Sequence, residues 1–280
     1  MVAGDAQRLM SSREIASAMA RLGAESLRDH VLGDARLTPK YGFAVARRGG
    51  LWCFSSRTFD LELFNHVSGY GTFAPASQPA VDAMLRHYAA LERPARIEIF
   101  LPVVTRGDRA LLARNGFRDS HTLFQCHVRT SVRPPRARAV PGLEVARARP
   151  TDAARYAKLA TKGFGGSGPI DEVFERGWTR QIRNDRRVAG FIGELNGRSA
   201  ATGVVITRPG IAGFYSGSVL RHYRGRGIQN AMIVARLAHG WARGVRTFYS
   251  WTDPESASAR NLRDEGFRTG FEMHIWEREG

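Results

Sequence analysis

The sequence predicts an α/β protein built from two copies of one domain, and three observations carry that prediction. The segments "ARIEIFLPVVTRGDRALLARNGFRDSHTLFQCHVR" (95–129) and "RTFYSWTDPESASARNLRDEGFRTGFEMHIWER" (246–278) both run strand, polar loop, short helix, Gly-Phe, strand, and Phe117 and Phe267 stand 150 positions apart. A repeat of that length is a repeated domain rather than a solenoid unit. Between the two copies, "RTSVRPPRARAVPGLEVARARP" (129–150) mixes Pro with Arg and has no apolar periodicity before Leu143, the composition of a linker. Finally, 280 residues with 43% hydrophobic content supply enough apolar surface for two ordinary cores. The boundaries that follow are 1–135 for the first domain, 136–142 for the linker and 143–280 for the second domain.

In the second half, "GLEVARAR" predicts a strand and "PTDAARYAKLATKGF" a helix capped by Thr151 or Asp152. A second helix follows in "DEVFERGWTRQIRN". "VAGFIGELNGRSAATGVVITR" then gives two strands joined by Asn196-Gly197, a strong hairpin turn. "IAGFYSGSVL" is the next strand, "IQNAMIVARLAHGWARG" a helix closed by Arg243 and Gly244, and "VRTFYSW" another strand. Strand, crossover helix, strand implies a parallel pair, with a ligand site where the crossover begins. The first half repeats this order more loosely. Its strands surround Gly49-Gly50, and "SQPAVDAMLRHYAALE" is its crossover helix.

Formal net charge is +16, yet three residues alone (Lys40, Lys158, Lys162) are lysine and every other base is Arg. That pattern, spread along the whole chain, is the codon bias of a GC-rich genome rather than a phosphate-binding face, and it argues against a nucleic-acid partner. No apolar run is long enough for a membrane helix, and the opening residues carry no secretion-signal pattern. With two isolated cysteines, Cys53 and Cys126, neither a disulfide framework nor a metal site is expected. The expected location is a reducing, bacterial-type cytoplasm, with no membrane partner.

The crossover of the second half opens with "RHYRGRGIQ". Gly225 and Gly227 remove Cβ atoms and permit positive φ, Arg224 and Arg226 bring charge, and the helix that follows offers free N–H groups. Such a turn binds anions, a diphosphate in particular. It is neither a dinucleotide fingerprint, which would need Gly at Asn230, nor a P-loop. "GFGGSG" (163–168) fits G-x-G-x-x-G but follows a helix, so it is expected to be an inter-helix loop. At the matching place the first half has "TFAPASQP", with no Arg and no Gly, which predicts a single ligand site per chain.

The run Val219 to Gln229, with R-x-x-G-x-(G/A) carried by "RGRGIQ" and then an amphipathic helix, a strand, a short helix and "EGF", resembles the GCN5-related N-acetyltransferase (GNAT) superfamily. The hairpin "GELNGRSAATGVV" is typical of it too. The resemblance covers about 143–278, and the whole chain resembles a tandem protein of two GNAT-like domains, each a mixed central sheet flanked by helices, with a degenerate N-terminal copy. It implies acetyl-CoA as co-substrate, the pyrophosphate on the N–H groups of Arg226, Gly227, Ile228, Gln229 and Asn230, and the pantetheine as a false strand along Ser218, Val219 and Leu220. The thioester carbonyl would meet a backbone N–H near Val219, an oxyanion-type contact. It further implies direct attack by an amine on the acyl carbon, with no covalent nucleophile.

Three positions depart from the family pattern. Gln229 replaces Gly or Ala and is expected to lean near the diphosphate. Leu262 replaces the Tyr that acts as general acid in many members. Glu255 replaces the Asn that contacts pantetheine, a contact that Ser258, with Asn261 adjacent, is expected to take over because 255, 258 and 262 share a helix face. For proton transfer the candidates are Glu194, Tyr215 and Ser218, with alternation placing Tyr215 opposite Ser216 and Ser218. Asp253, before Pro254, is a further carboxylate in range. Trp178 and Phe164 are expected in the core.

The leading expectation is an N-acetyltransferase acting on a primary amine of a small molecule or peptide, an acyltransferase transferring groups other than aminoacyl groups. Against it stand a silent CoA-binding module, a basic nucleic-acid-binding protein, and a tRNA-dependent aminoacyl transferase on the same tandem fold. The sequence is compatible with a monomer or a homodimer.

Overall fold

The computed structural model describes residues 10–131, 133–166 and 168–279, so Val132, just ahead of the linker, and Ser167 of the glycine-rich segment lie outside the described residues. The first half runs α1 (Ser12–Leu32), α2 (Leu37–Tyr41), β1 (Ala44–Arg48), β2 (Leu51–Ser55), β3 (Val67–Ser68), α3 (Gln78–Ala89), β4 (Ala95–Phe100), α4 (Arg106–Arg114) and β5 (Arg118–Thr130). The second runs β6 (Leu143–Arg147), α5 (Ala153–Gly163), α6 (Pro169–Asn184), β7 (Val188–Leu195), β8 (Arg198–Arg208), β9 (Ile211–Val219), α7 (Ile228–Ala242), β10 (Thr247–Thr252), α8 (Ala257–Asp264) and β11 (Arg268–Arg278). The element order is the predicted one in the second half and, from β1 onward, in the first, where α1 and α2 precede the predicted strands. Asn196 and Gly197 both take positive φ and turn the β7–β8 hairpin, while α7 spans the crossover from β9 to its parallel neighbour β10.

The eleven strands of the described residues join one sheet, in the order β1-β2-β3-β4-β11-β5-β10-β9-β8-β7-β6. The final strands are exchanged: β5 of the first half pairs antiparallel with β10, and β11 of the second pairs antiparallel with β4. The two exchanged strands then pair with each other across the centre, from Arg268↔Val128 to Glu277↔Arg118. The echo between residues 118 and 268 is therefore a pseudo-two-fold relation in space, and residues on each side of the linker complete the sheet of the other.

Alternation along β8 sorts the core into two layers. Val204 and Ile206 pack with α1, α5 and α6 on one face, and Val205 packs with α7 and Phe214 on the other. Helix α1, which the sequence reading did not anticipate, starts in a full capping box between Ser11 and Glu14 and contributes Ile15, Met19 and Leu22 to the face of the second half. Near its end, His30 sits against Trp178 with ring centroids 4.5 Å apart, its Nδ1 donating to the Ser26 carbonyl at 2.8 Å. Among the described residues its Nε2 is buried without a partner. Trp178 is in the core, as expected.

Because each half is closed by a strand from the other, residues 136–280 and 1–135 expressed separately are expected not to yield soluble monomers. Co-expressed, they are expected to co-purify as a one-to-one complex on size exclusion; a monomeric, folded 136–280 would contradict the exchange.

Burial lowers the pKa of His30 from 6.5 to about 4. The imidazole is neutral in the fold and protonates first in the unfolded chain, so its stabilising effect is complete above about pH 6.5 and falls away as pH drops from there to about 4. The loss is on the order of 3 kcal/mol. Urea midpoints measured between pH 7 and pH 4.5 should fall more steeply for the natural chain than for His30→Phe.

Candidate active site

Strands β9 and β10 pair only at Ile211, Ala212 and Gly213, opposite Thr247, Phe248 and Tyr249. Beyond Gly213 they splay apart, and the gap opens into two adjoining cavities. The outer one, about 490 Å³, lies between the turn at 223–230, the Gly163–Phe164 end of α5 and the first turn of α8. The inner one, about 360 Å³, runs into the splay between Tyr215, Phe214, Gly217 and Ser250, Trp251, Asp253.

The outer cavity is floored by backbone. Gly225 and Gly227 both lie in the left-handed region, at φ 77° and 73°. Among the described residues, the N–H groups of Gly225 through Asn230 find no hydrogen-bond partner. Six consecutive free donors at a helix start are an anion cradle. A Cβ on Gly227 would lie 3.7 Å from Val140, so the fold has room for one and the positive φ and the cradle are what exclude it. Arg226 is exposed with its guanidinium 6.0 Å from the Tyr223 ring. Arg224 is bound elsewhere: it donates to the Val219 carbonyl at 3.0 Å and the Gly163 carbonyl at 3.3 Å, tying turn, strand and α5 together.

Along β9, the Leu220 N–H is taken by the Ala200 carbonyl. Strand alternation turns the Val219 N–H to the opposite edge, the one β10 has left. That edge is where an extended ligand can add as a strand.

The sequence placed Tyr215 and Ser218 on opposite faces. A bulge reverses this: Val204 stands opposite Tyr215 and Thr202 opposite Ser218, with an extra residue between them and Ser216 at φ 46°. Tyr215 and Ser218 therefore share the face covered by α5. The Ser218 hydroxyl lies 2.9 Å from Thr202 Oγ1, and α5 can approach it because Gly163 has no Cβ, which would fall 2.2 Å from Ser218 Oγ. The Tyr215 and Tyr249 hydroxyls are 2.6 Å apart. Burial pushes the Tyr215 hydroxyl well up, so it stays protonated and can donate.

Other predicted positions fall as follows. Glu194 ends β7 in an ion pair with Arg155 and lines neither cavity. The Asn230 side chain donates to Glu265 at 3.0 Å, holding α7 to α8. Gln229 turns toward Gly217 rather than the diphosphate cradle, since a Cβ on Gly217 would meet its Nε2 at 2.9 Å, and among the described residues its Oε1 is buried without a partner. Ser258 lines both cavities and Asn261 the outer one. Glu255 precedes α8 with φ 57° and does not share its face. Leu262 is buried against α7. Phe164, expected in the core, is 66% exposed and overhangs both cavities. Of the glycine-rich run, Gly163 closes α5 and the described residues 164–166 and 168 lie between α5 and α6, as expected for an inter-helix loop.

Sequence reasoning missed two contributors. Phe124 enters the inner cavity from the exchanged β5 and meets Trp251 at 5.5 Å between centroids. Arg236 enters from α7, where the signal was a charge inside an apolar helical stripe. In the first half the matching gap is closed. β3 has two residues, a Cβ on Gly69 would strike the Phe73 ring at 2.1 Å, and the Ser77 side chain already caps α3.

Gly227→Val forces a β-branched residue to positive φ and fills the cradle. It is expected to abolish acetyl-CoA binding in calorimetry while the far-UV circular dichroism spectrum is retained; unchanged affinity in a folded variant would move the donor site elsewhere.

No protein-family profile matches the chain, and no curated protein matches its sequence. Solved structures do match in fold. A GCN5-related N-acetyltransferase from Kribbella flavida is 14% identical over 97% of each chain, with a TM-score of 0.65. A tandem GNAT protein from the clavulanic acid biosynthesis pathway is 13% identical over 96% of each chain, at 0.60. A GCN5-related N-acetyltransferase from Sphaerobacter thermophilus is 16% identical over 84% of this chain and 75% of its own, at 0.57. At both ends of its exchanged sheet, then, this chain carries the tandem fold of the GCN5-related N-acetyltransferases.

Proposed function

We propose that the chain is an acyl-CoA-dependent N-acyltransferase, taking acetyl from acetyl-CoA to a primary amine of a small molecule or peptide. The observation that carries the reading is the row of free N–H donors from Gly225 to Asn230, set beside the edge of β9 that β10 leaves unpaired. The diphosphate lies on the donors with Arg226 beside it, Ser258 and Asn261 flank the pantetheine, and the Val219 N–H faces the thioester oxygen. Acetyl-CoA supplies the activated acyl carbon. The C–N bond forms there as the C–S bond breaks, and the proton lost by the amine leaves with the CoA thiol.

The acceptor enters from the other face, past Phe164, Phe124 and Trp251, aromatic walls that exclude water from the attack. Among the described residues, Asp253 is the one carboxylate lining either cavity, and we assign it the general base in place of Glu194, whose charge is already met by Arg155. Tyr215 and Ser218 stand on the acceptor face as hydroxyl donors that orient the amine or protonate the thiolate. Leu262 has no proton to give, so no acid comes from α8 at that position.

Calorimetry should find one acetyl-CoA site per chain, because Phe73 and Ser77 close the first copy's gap. Thiol release with a panel of primary amines should detect turnover, and Asp253→Asn should lower it about 10²-fold or more at saturating acetyl-CoA. Two equivalent sites, or none, would overturn the reading.

A further inference from the structure

The inner cavity ends on a buried cation. Arg236 is 2% exposed, two turns along α7 from the anion cradle, about 10 Å at helical rise. Its Nε donates to the Met232 carbonyl at 3.0 Å and its Nη1 to the Val204 carbonyl at 3.5 Å, and the guanidinium lies 4.4 Å from the centre of the Phe214 ring. Among the described residues no carboxylate pairs with it, and its Nη2 has no hydrogen-bond partner. That nitrogen faces Gly217: a Cβ there would lie 3.4 Å from it. Burial lowers the guanidinium to about 10, so it is charged at neutral pH. A buried charge without a counter-ion is costly, and a carboxylate that fits its free donors relieves that cost.

The direction from which such a carboxylate arrives follows from the faces of the sheet. Arg236 and Phe214 lie on the side of α7 and α8, whereas Tyr215, Trp251 and Phe124 lie on the other, with α1, α5 and α6. The guanidinium thus stands on the donor side of the splay. Gly217 is two residues from Val219, about 7 Å along a strand, the span of a short diacid such as succinate or glutarate. Phe214, Ile233 and Leu262 give that side an apolar stretch that suits the methylenes between, next to the polar side chains of Gln229 and Ser258.

We propose that the inner cavity is an acyl-chain pocket for carboxylated donors, CoA thioesters of short dicarboxylic acids, with Arg236 receiving the distal carboxylate. This rests on the acyl-CoA reading and names its donor class more narrowly. The distal carboxylate is a spectator: the amide forms at the thioester carbon, the C–S bond breaks, and the amine proton leaves with the CoA thiol, as for acetyl. A plain aliphatic chain of the same length would bring methyl groups to an unpaired charge and is disfavoured by the same contact.

The test is calorimetric binding to the full chain of CoA, butyryl-CoA and succinyl-CoA, donors of equal chain length that differ in a terminal carboxylate. Succinyl-CoA is expected to bind about tenfold or more tightly than butyryl-CoA, and Arg236→Met to erase or invert that ratio. Equal or weaker binding of succinyl-CoA to the natural chain overturns the inference, as does a preference that survives in folded Arg236→Met. Should that variant fail to fold, the comparison on the natural chain decides alone. CoA binding without the succinyl preference overturns this inference only, whereas no binding of CoA itself overturns the acyl-CoA reading as well.

Discussion

The pairing of β5 with β11 at the middle of the sheet is the contact on which the rest of the molecule depends. Each of these strands is bracketed by the other and by the penultimate strand of the opposite half, so neither half has a complete sheet of its own. Strand pairing satisfies backbone groups that would otherwise be buried unpaired, and here the groups so satisfied belong to both copies at once. Phe124 reaches the inner cavity only because β5 lies beside β10. The first half, whose own gap is filled by Phe73, in this way still furnishes a wall of the second half's site.

The site works by withholding partners. β10 leaves β9 after Gly213, the bulge at Ser216–Gly217 turns Tyr215 and Ser218 to one face, and the turn at 224–227 leaves a row of N–H groups free. Each is a local failure of regular pairing, and each is supported by a tight contact nearby: Arg224 on two carbonyls, Gly163 against Ser218, the Tyr156 hydroxyl 3.5 Å from the Ser216 carbonyl. Preorganised donors in a fixed frame need no reorganisation when charge develops on a bound oxygen.

Much of this was legible in the sequence where the physics is local. Gly225 and Gly227 between a strand and a helix announced the turn, Asn196-Gly197 the hairpin, and the spacing from Phe117 to Phe267 the repeat. What was not legible depended on pairing across long separations. The exchange of β5 and β11 leaves no local trace, since each strand has the same pattern whichever neighbour it takes. The bulge at Ser216 defeats simple alternation, and Glu255 adopts a backbone that no helical spacing rule describes. Helix α1 did carry a signal, the Ser11-x-x-Glu14 box, and the signal for Arg236, passed over in the sequence, was a charge in line with Ile233 on a mostly apolar helix. Glu194 looked available because a sequence does not show that Arg155 reaches it.

The exchange also sets an order of events during synthesis. β4 is made early, yet the strand that covers its edge is β11, residues 268–278. Until those residues emerge, the first half presents an open strand of alternating apolar side chains, Ile97 and Ile99 among them, and exposed edges of that kind invite pairing with other chains. The nascent protein must carry this unfinished edge through the making of nearly the whole second half, which ties the solubility of the first copy to the translation rate of the second.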